Sequence, residues 1–140
     1  EEEKYSLTAL DANPSLPNSV FFIKPVNGVL SSTFEADIRH FGIDIVATPK
    51  ESVLATLDGT VVFAGFDPNF GNVIQLQHKN GFVSVYKHND ALLKKTGDHV
   101  AAGEAIALVG NTGALSTGPH LHFELWYKGM PINPEEYISF

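Results

Sequence analysis

From Val53 to Tyr127 the chain alternates short apolar runs with compact clusters of Gly, Asp, Asn and Pro, and helical spacing of apolar residues is scarce. Runs of that length, rich in β-branched and aromatic residues and bounded by turn formers, predict strands. They fall at 53–57, 60–66, 72–78, 81–87, 105–109 and 120–127, with a weaker pair at 20–24 and 43–46. "LDGTV" (57–61), "DPNFGN" (67–72), "HKNGF" (78–82), "KTGDHV" (95–100), "AAGEA" (101–105) and "YKGMP" (127–131) read as turns, and Asp-Gly or Asn-Gly between such runs is a hairpin signal. "VLATLDGTVVFAG" and "GDHVAAGEAIALVG" look like two halves of a small antiparallel sandwich. Only "NPEEYI" (133–138), an Asn cap followed by Pro and acids, predicts a short closing helix. The expected fold is all-β and mainly antiparallel, a small two-sheet, barrel-sandwich-like core with a short C-terminal helix. Residues 1–19 carry charges, Asn13-Pro14 and Pro17-Asn18 without periodicity, and read as an arm or linker; 20–140 form the domain.

Composition narrows the function. A chain of 140 residues with 44% hydrophobic content suits one domain with a single core. No apolar run reaches the length that crosses a bilayer, and "EEEKYSLTAL" has neither a signal core nor an initiating Met, so the chain is read as a mature or excised piece of something longer. Its net charge of -7, from 16 acidic and 9 basic residues, disfavours a nucleic-acid partner. With no cysteine, disulfides, thiolate metal sites and thiol nucleophiles are excluded. The hairpins also suit biotin- or lipoyl-carrier domains. Those need a modifiable Lys at an exposed tip, usually beside Met, and the only Met, Met130, sits between Gly129 and Pro131.

Three histidine motifs remain. In "HFGID", His40 and Asp44 lie four apart and can face the same way; a turn with a solvated Asp and His is the plainer reading of that motif alone. In "GPHLHFEL", strand alternation puts His120 and His122 on one face and Leu121 and Phe123 on the other, giving either a polar strand face or a chemical site. His88 closes "VYKHND" at a strand end, where a lone His is usually structural. Taken together they are more specific. Catalytic zinc needs three N or O ligands and an open position, and a set without thiolate suits zinc better than calcium or magnesium. Other conspicuous residues read more plainly. His78 is taken as structural, His99 as solvated, and Tyr86, Phe123 and Trp126 as core rather than groove. Asn111 and Thr112 are either conformational or substrate-contacting, and Glu1 to Glu3 are a solvated tail.

"HFGID", "YKH" and "GPHLHFE", in that order and with "VGNTGALSTG" before the last, resemble the lysostaphin-type (LytM-like) zinc metalloendopeptidases of bacterial cell walls. The resemblance runs from about Val26 to Tyr137 and includes "DGTVVFAG", "FGNVIQLQH", "GDHVAAGEAIA" and "PINPEEY". It implies one zinc ion per chain held by His40, Asp44 and His122, with His88 and His120 as catalytic histidines. It further implies hydrolysis of amide bonds in peptidoglycan crosslinks, in the periplasm or outside the cell. The alternative is an inactive relative that binds cell wall or activates a partner hydrolase; such relatives typically lose ligands, and every expected ligand is present here. One departure stands out. The family's S-x-F-G-x-R segment is replaced by "SSTFEADIRH", with Glu35 after Phe34 and Ala36-Asp37 where the Arg is expected, which bears on the groove wall. Some relatives are kept latent by an upstream Asn, a part Asn13 or Asn18 could play.

Overall fold

The computed structural model describes residues 20–140; the arm at 1–19, with Asn13 and Asn18, lies outside the described residues. Eleven strands are present among them: β1 (Val29–Ser32), β2 (Ile43–Val46), β3 (Ser52–Leu54), β4 (Gly59–Asp67), β5 (Gly71–Gln77), β6 (Phe82–Asn89), β7 (Ala91–Leu92), β8 (His99–Val100), β9 (Ala105–Leu108), β10 (His120–Tyr127) and β11 (Met130–Ile132). A large sheet runs β1-β2-β10-β6-β5-β4-β8, with β11 also paired to β10, and a small sheet runs β3-β9-β7. All pairings are antiparallel. The all-β, two-sheet expectation holds.

The two segments expected to form sandwich halves do pair with each other, and they do so crosswise. β3 pairs with β9 in the small sheet, and β4 pairs with β8 in the large one. Asp58-Gly59 is therefore a passage from one sheet to the other, not the hairpin its sequence suggests. The passage is tight: a Cβ on Gly59 would lie 2.7 Å from the Gln77 carbonyl oxygen and from Nδ1 of His78. Segment 20–24 is also not a strand. Ile23 donates one backbone bond to Thr56 O (2.8 Å), and Val20 and Phe22 pack on the core. β1, β7, β8 and β11, two to four residues each, fall outside the segments expected to be strands. The closing helix is a single 3-10 turn, Pro134–Glu136, capped by the Asn133 side chain, which accepts from Glu135 N at 3.1 Å.

Turn chemistry sets the large sheet. The Asp67 carboxylate accepts from Asn69 N (2.8 Å) and Phe70 N (3.0 Å), closing β4 onto β5. Lys128 (φ 49°) and Gly129 (φ 83°) both take left-handed conformations in the two-residue turn joining β10 to β11. On β10, alternation sends Leu121, Phe123 and Leu125 into the core at 0% exposure. They meet Ile43, Ile45, Ile74, Leu76 and Tyr86, with the Tyr86 and Phe123 rings 5.3 Å apart. Burying such side chains contributes roughly 1.5–3 kcal/mol each, so β10 is fixed from beneath. Its opposite face, carrying His120, His122, Glu124 and Trp126, is free for chemistry.

Inside the sandwich one polar chain is fully satisfied. His78 donates from Nδ1 to Asp58 O (2.7 Å), and the Ser84 hydroxyl lies 2.7 Å from His78 Nε2 and 2.9 Å from the Tyr86 hydroxyl, which accepts from Thr56 N (3.1 Å). Burial pushes the His78 imidazole below its ordinary value despite the Asp58 carbonyl.

Candidate active site

β10 lies between β2 and β6, and the register sets His122 opposite Asp44 on one side and opposite Lys87 on the other. Cross-strand partners on one face sit within side-chain reach. His40 arrives from the turn before β2, pinned by two backbone bonds with Glu35: Glu35 N to His40 O (2.9 Å) and His40 N to Glu35 O (3.0 Å). Glu35, the residue at which this chain departs from the family pattern, thus builds the wall beside His40. With Ser31, Thr33 and Arg39 it lines a groove that opens the site to solvent.

Each imidazole has one nitrogen tied to the protein and the other turned inward. Nδ1 of His40 donates to Thr33 O (2.7 Å), leaving Nε2 at 3.2 Å from Asp44 Oδ2. Nδ1 of His120 donates to Gly118 O (2.7 Å), leaving Nε2 at 3.7 Å from Asp44 Oδ1. His122 is reversed, with Nδ1 at 2.8 Å from Asp44 Oδ1 and Nε2 at 2.8 Å from Glu124 Oε2. Ligand atoms of His40, Asp44 and His122 all lie within 4.8 Å of one another, a spacing that one metal ion can bridge. The donor chemistry fits: two imidazoles, each braced from behind by Thr33 O or Glu124, and a carboxylate.

His88 joins this group against the strand pattern. Simple alternation along β6 would place it with Phe82, Ser84 and Tyr86 in the core. The pairing slips between Asn72 and Ile74, which face Asn89 and Tyr86, so two residues of β6 oppose one of β5. His88 sits in this bulge at φ 68°. A bulge re-aims a side chain, and here it turns the ring to within 5.0 Å of the His120 ring and 6.4 Å of the His122 ring. A left-handed conformation at a non-glycine residue costs about 1–2 kcal/mol and needs support. Support comes from His88 N donating to Phe70 O (2.8 Å) and from Nδ1 donating to Thr112 O (2.7 Å). The Thr112 hydroxyl in turn donates to Asn89 O (2.6 Å) and accepts from Asn72 N (3.1 Å).

The charges follow from this packing. Burial by itself would raise the Asp44 carboxyl, but the bond from His122 and the imidazoles of His122, His120 and His40 outweigh it and hold it below its ordinary value. Burial pushes His88 down and the Thr112 carbonyl offsets this only in part, with His120 and His122 adding to the depression, so a neutral ring is favoured. For His122, burial is outweighed by its bonds to Asp44 and Glu124, and its value rises. Glu124 is held at about 2, where burial is overcome by His122, Lys87 and Trp126.

All five residues singled out in the sequence, His40, Asp44, His88, His120 and His122, therefore converge. His78 and His99 do not: the first is in the buried chain described above, the second is exposed beside Thr60. Tyr86 and Phe123 are core. Trp126 is not, because it shares the face of His122 and Glu124. Glu124 was not singled out as a site residue, though it lies within "HLHFE" at the alternation that marks its face, and Thr112, read as either conformational or substrate-contacting, braces His88 through its carbonyl and hydroxyl.

An antiparallel β-sandwich thus carries a His/Asp/His cluster that one metal ion could bridge, with two further histidines beside it. The sequence matches peptidase family M23 over residues 38–134, and the chain belongs to that family. Murein hydrolase activator NlpD of Escherichia coli is 40% identical over 116 residues, 81% of this chain and 30% of NlpD. DD-carboxypeptidase/endopeptidase Mpg of Neisseria meningitidis is 42% identical over 95 residues, 68% of this chain and 22% of Mpg. The chain thus spans less than a third of either relative. The solved catalytic domain of the antimicrobial peptidase lysostaphin from Staphylococcus simulans superposes with a TM-score of 0.68 at 30% identity, covering 79% of this chain and 88% of that domain. The lysostaphin-type resemblance is borne out.

Proposed function

We propose that this domain is a zinc-dependent endopeptidase that hydrolyses amide bonds in the peptide crosslinks of bacterial peptidoglycan, in the periplasm or outside the cell. The observation that carries the reading is the joint presence of His40, Asp44 and His122 with His88 and His120 on one solvent-accessible sheet face. His40, Asp44 and His122 would hold the ion, and a sulfur-free N/O set of three suits zinc. Zinc bound there would supply Lewis-acid polarisation of the scissile carbonyl and make an attacking water more acidic.

The chain's own residues do the rest. With Nδ1 committed to carbonyl oxygens, His88 and His120 both present Nε2 toward the reacting bond. A neutral His88 accepts a proton from the attacking water at Nε2 and returns it to the leaving amine. His120, with Nε2 3.7 Å from Asp44, can donate to the developing oxyanion in its imidazolium form, in which Nε2 carries an N–H while Nδ1–H stays on Gly118 O. Asp44 is kept ionised by the surrounding imidazoles, which keeps it a ligand rather than an acid.

A second reading is a module that cleaves nothing and activates a hydrolase, favoured by the 40% identity to the activator NlpD. Digestion of purified peptidoglycan, with metal content measured on the same preparations, separates the two. The peptidase reading expects chelator-sensitive release of peptide fragments. It also expects His122→Ala to lose zinc and activity together, while His88→Ala and His120→Ala keep zinc and lose roughly a hundredfold or more in turnover. Zinc binding without any cleavage by the unmodified domain would favour the activator.

A further inference from the structure

One buried ionic group on the site face is not accounted for by the reaction. Glu124 is 8% exposed and accepts three hydrogen bonds: His122 Nε2 (2.8 Å) and Lys87 Nζ (3.0 Å) on Oε2, and Trp126 Nε1 (2.9 Å) on Oε1. A buried ion pair is at best weakly stabilising compared with apolar residues of similar size, so core stability is a poor reason for it. The backbone also makes room for it. Gly42, just before the strand bearing Asp44, is buried, and a Cβ there would lie 2.5 Å from Phe123 O, 2.8 Å from Glu124 Cγ and 3.0 Å from His122 Nε2. Lys87 is itself fixed, with Nζ 3.8 Å above the Phe70 ring.

We propose that Glu124, clamped by Lys87 and Trp126, is the positioning residue of His122: it holds the ring by Nε2–H so that Nδ1 faces His40 and Asp44, and thereby couples Trp126 to the metal site. The inference rests on the reading that His122 ligates a metal. The reversed orientation of His122 carries it. His40, His88 and His120 are each held through Nδ1 by a backbone carbonyl. His122 alone among the site's histidines presents Nδ1 inward, and the acceptor that permits this is the Glu124 carboxylate. Carboxylates and carbonyls that accept the free N–H of a ligating histidine fix its tautomer and raise its basicity. A carboxylate, with two acceptor oxygens, can serve all three donors at once. An amide cannot, since one of its two positions is itself a donor.

Trp126 is the only tryptophan of the chain. Its indole N–H shares the carboxylate with His122, so a change at the ring is transmitted to the fluorophore through two hydrogen bonds. Zinc affinity by competition with a chelating dye, and Trp emission during zinc titration of the metal-free domain, test the coupling. The wild-type domain is expected to bind one zinc with a saturating emission change. Glu124→Gln, with a far-ultraviolet circular dichroism spectrum and metal-free Tm close to wild type, is expected to bind zinc roughly 10–100-fold more weakly and to lose the emission change. Lys87→Met and Trp126→Phe leave the Glu124–His122 bond in place but loosen its clamp, and should weaken zinc binding several-fold. Wild-type affinity together with a full emission response in Glu124→Gln overturns the inference and leaves the metal reading intact. If Glu124→Gln does not fold, unchanged zinc affinity in both Lys87→Met and Trp126→Phe overturns it instead. A folded wild-type domain that takes up no zinc overturns the metal reading, and this inference with it.

Discussion

Thr112→Val tests whether the bulge that carries His88 is held by the loop facing it. Valine keeps the branched shape and removes only the hydroxyl, which donates to Asn89 O at 2.6 Å and accepts from Asn72 N at 3.1 Å. A net hydrogen bond contributes about 1 kcal/mol, and an unpaired buried partner costs somewhat more, so the loss should be about 2 kcal/mol. For a domain of this size that lowers Tm by roughly 4–10 °C. The Thr112 carbonyl, the acceptor for His88 Nδ1, is retained by valine but loses the hydroxyl's ties to Asn89 and Asn72. A displacement of about 1 Å in a catalytic group can cost up to roughly a hundredfold. Peptidoglycan turnover should therefore fall about tenfold or more while zinc content stays at the wild-type level. Both are measured on one preparation, alongside a thermal melt of the metal-free form. A variant with lowered Tm and full turnover would mean that the hydroxyl braces the fold without placing His88. An unchanged Tm would refute the hydrogen-bond reasoning itself.

Chelation should leave the far-ultraviolet circular dichroism spectrum nearly unchanged, because the core lies on the opposite sheet face from His40, Asp44 and His122. Restoring zinc at a thousandfold excess over Kd should then add about 4 kcal/mol of stability, read as a rise in Tm. Stability should also depend on pH through His78, whose folded value lies below its ordinary 6.5. The unfolded chain then binds the proton first, so this contribution is complete above about pH 6.5 and is lost as pH falls from there toward the lower folded value. Denaturant melts of the metal-free protein across that range, compared with His78→Gln, should show a shallower acid decline in the variant; parallel curves would remove His78 from the account. Phe123→Ala, between His122 and Glu124 on β10, should cost roughly 3–5 kcal/mol and weaken zinc binding as the strand loses its seat in the core, checked by denaturant melts and dye competition.

The sequence by itself determined the class of fold and the two faces of β10. Period-2 alternation is a local property, and turn formers such as Lys128-Gly129 act within a few residues, so both can be read without knowing what the strand meets. The spacing of His120 and His122 likewise placed them on one face before any partner was known. Long-range pairing was beyond that logic. Asp58-Gly59 carries a hairpin signature, yet β3 and β4 part to join different sheets, because β9 and β8, some forty residues on, offer the better partners. Tertiary structure alone also decided how His88 enters the site. By alternation it belongs in the core with Tyr86, and only the slipped register between β5 and β6, braced by Phe70 and Thr112, turns it toward His120 and His122. The role of Glu124 was hidden for a related reason: its face was legible, but a carboxylate becomes the brace of His122 only when Lys87 from β6 and the space at Gly42 from the other neighbouring strand meet it there. Alternation assigns a side chain to a face, and only the register of the neighbouring strands assigns it a partner.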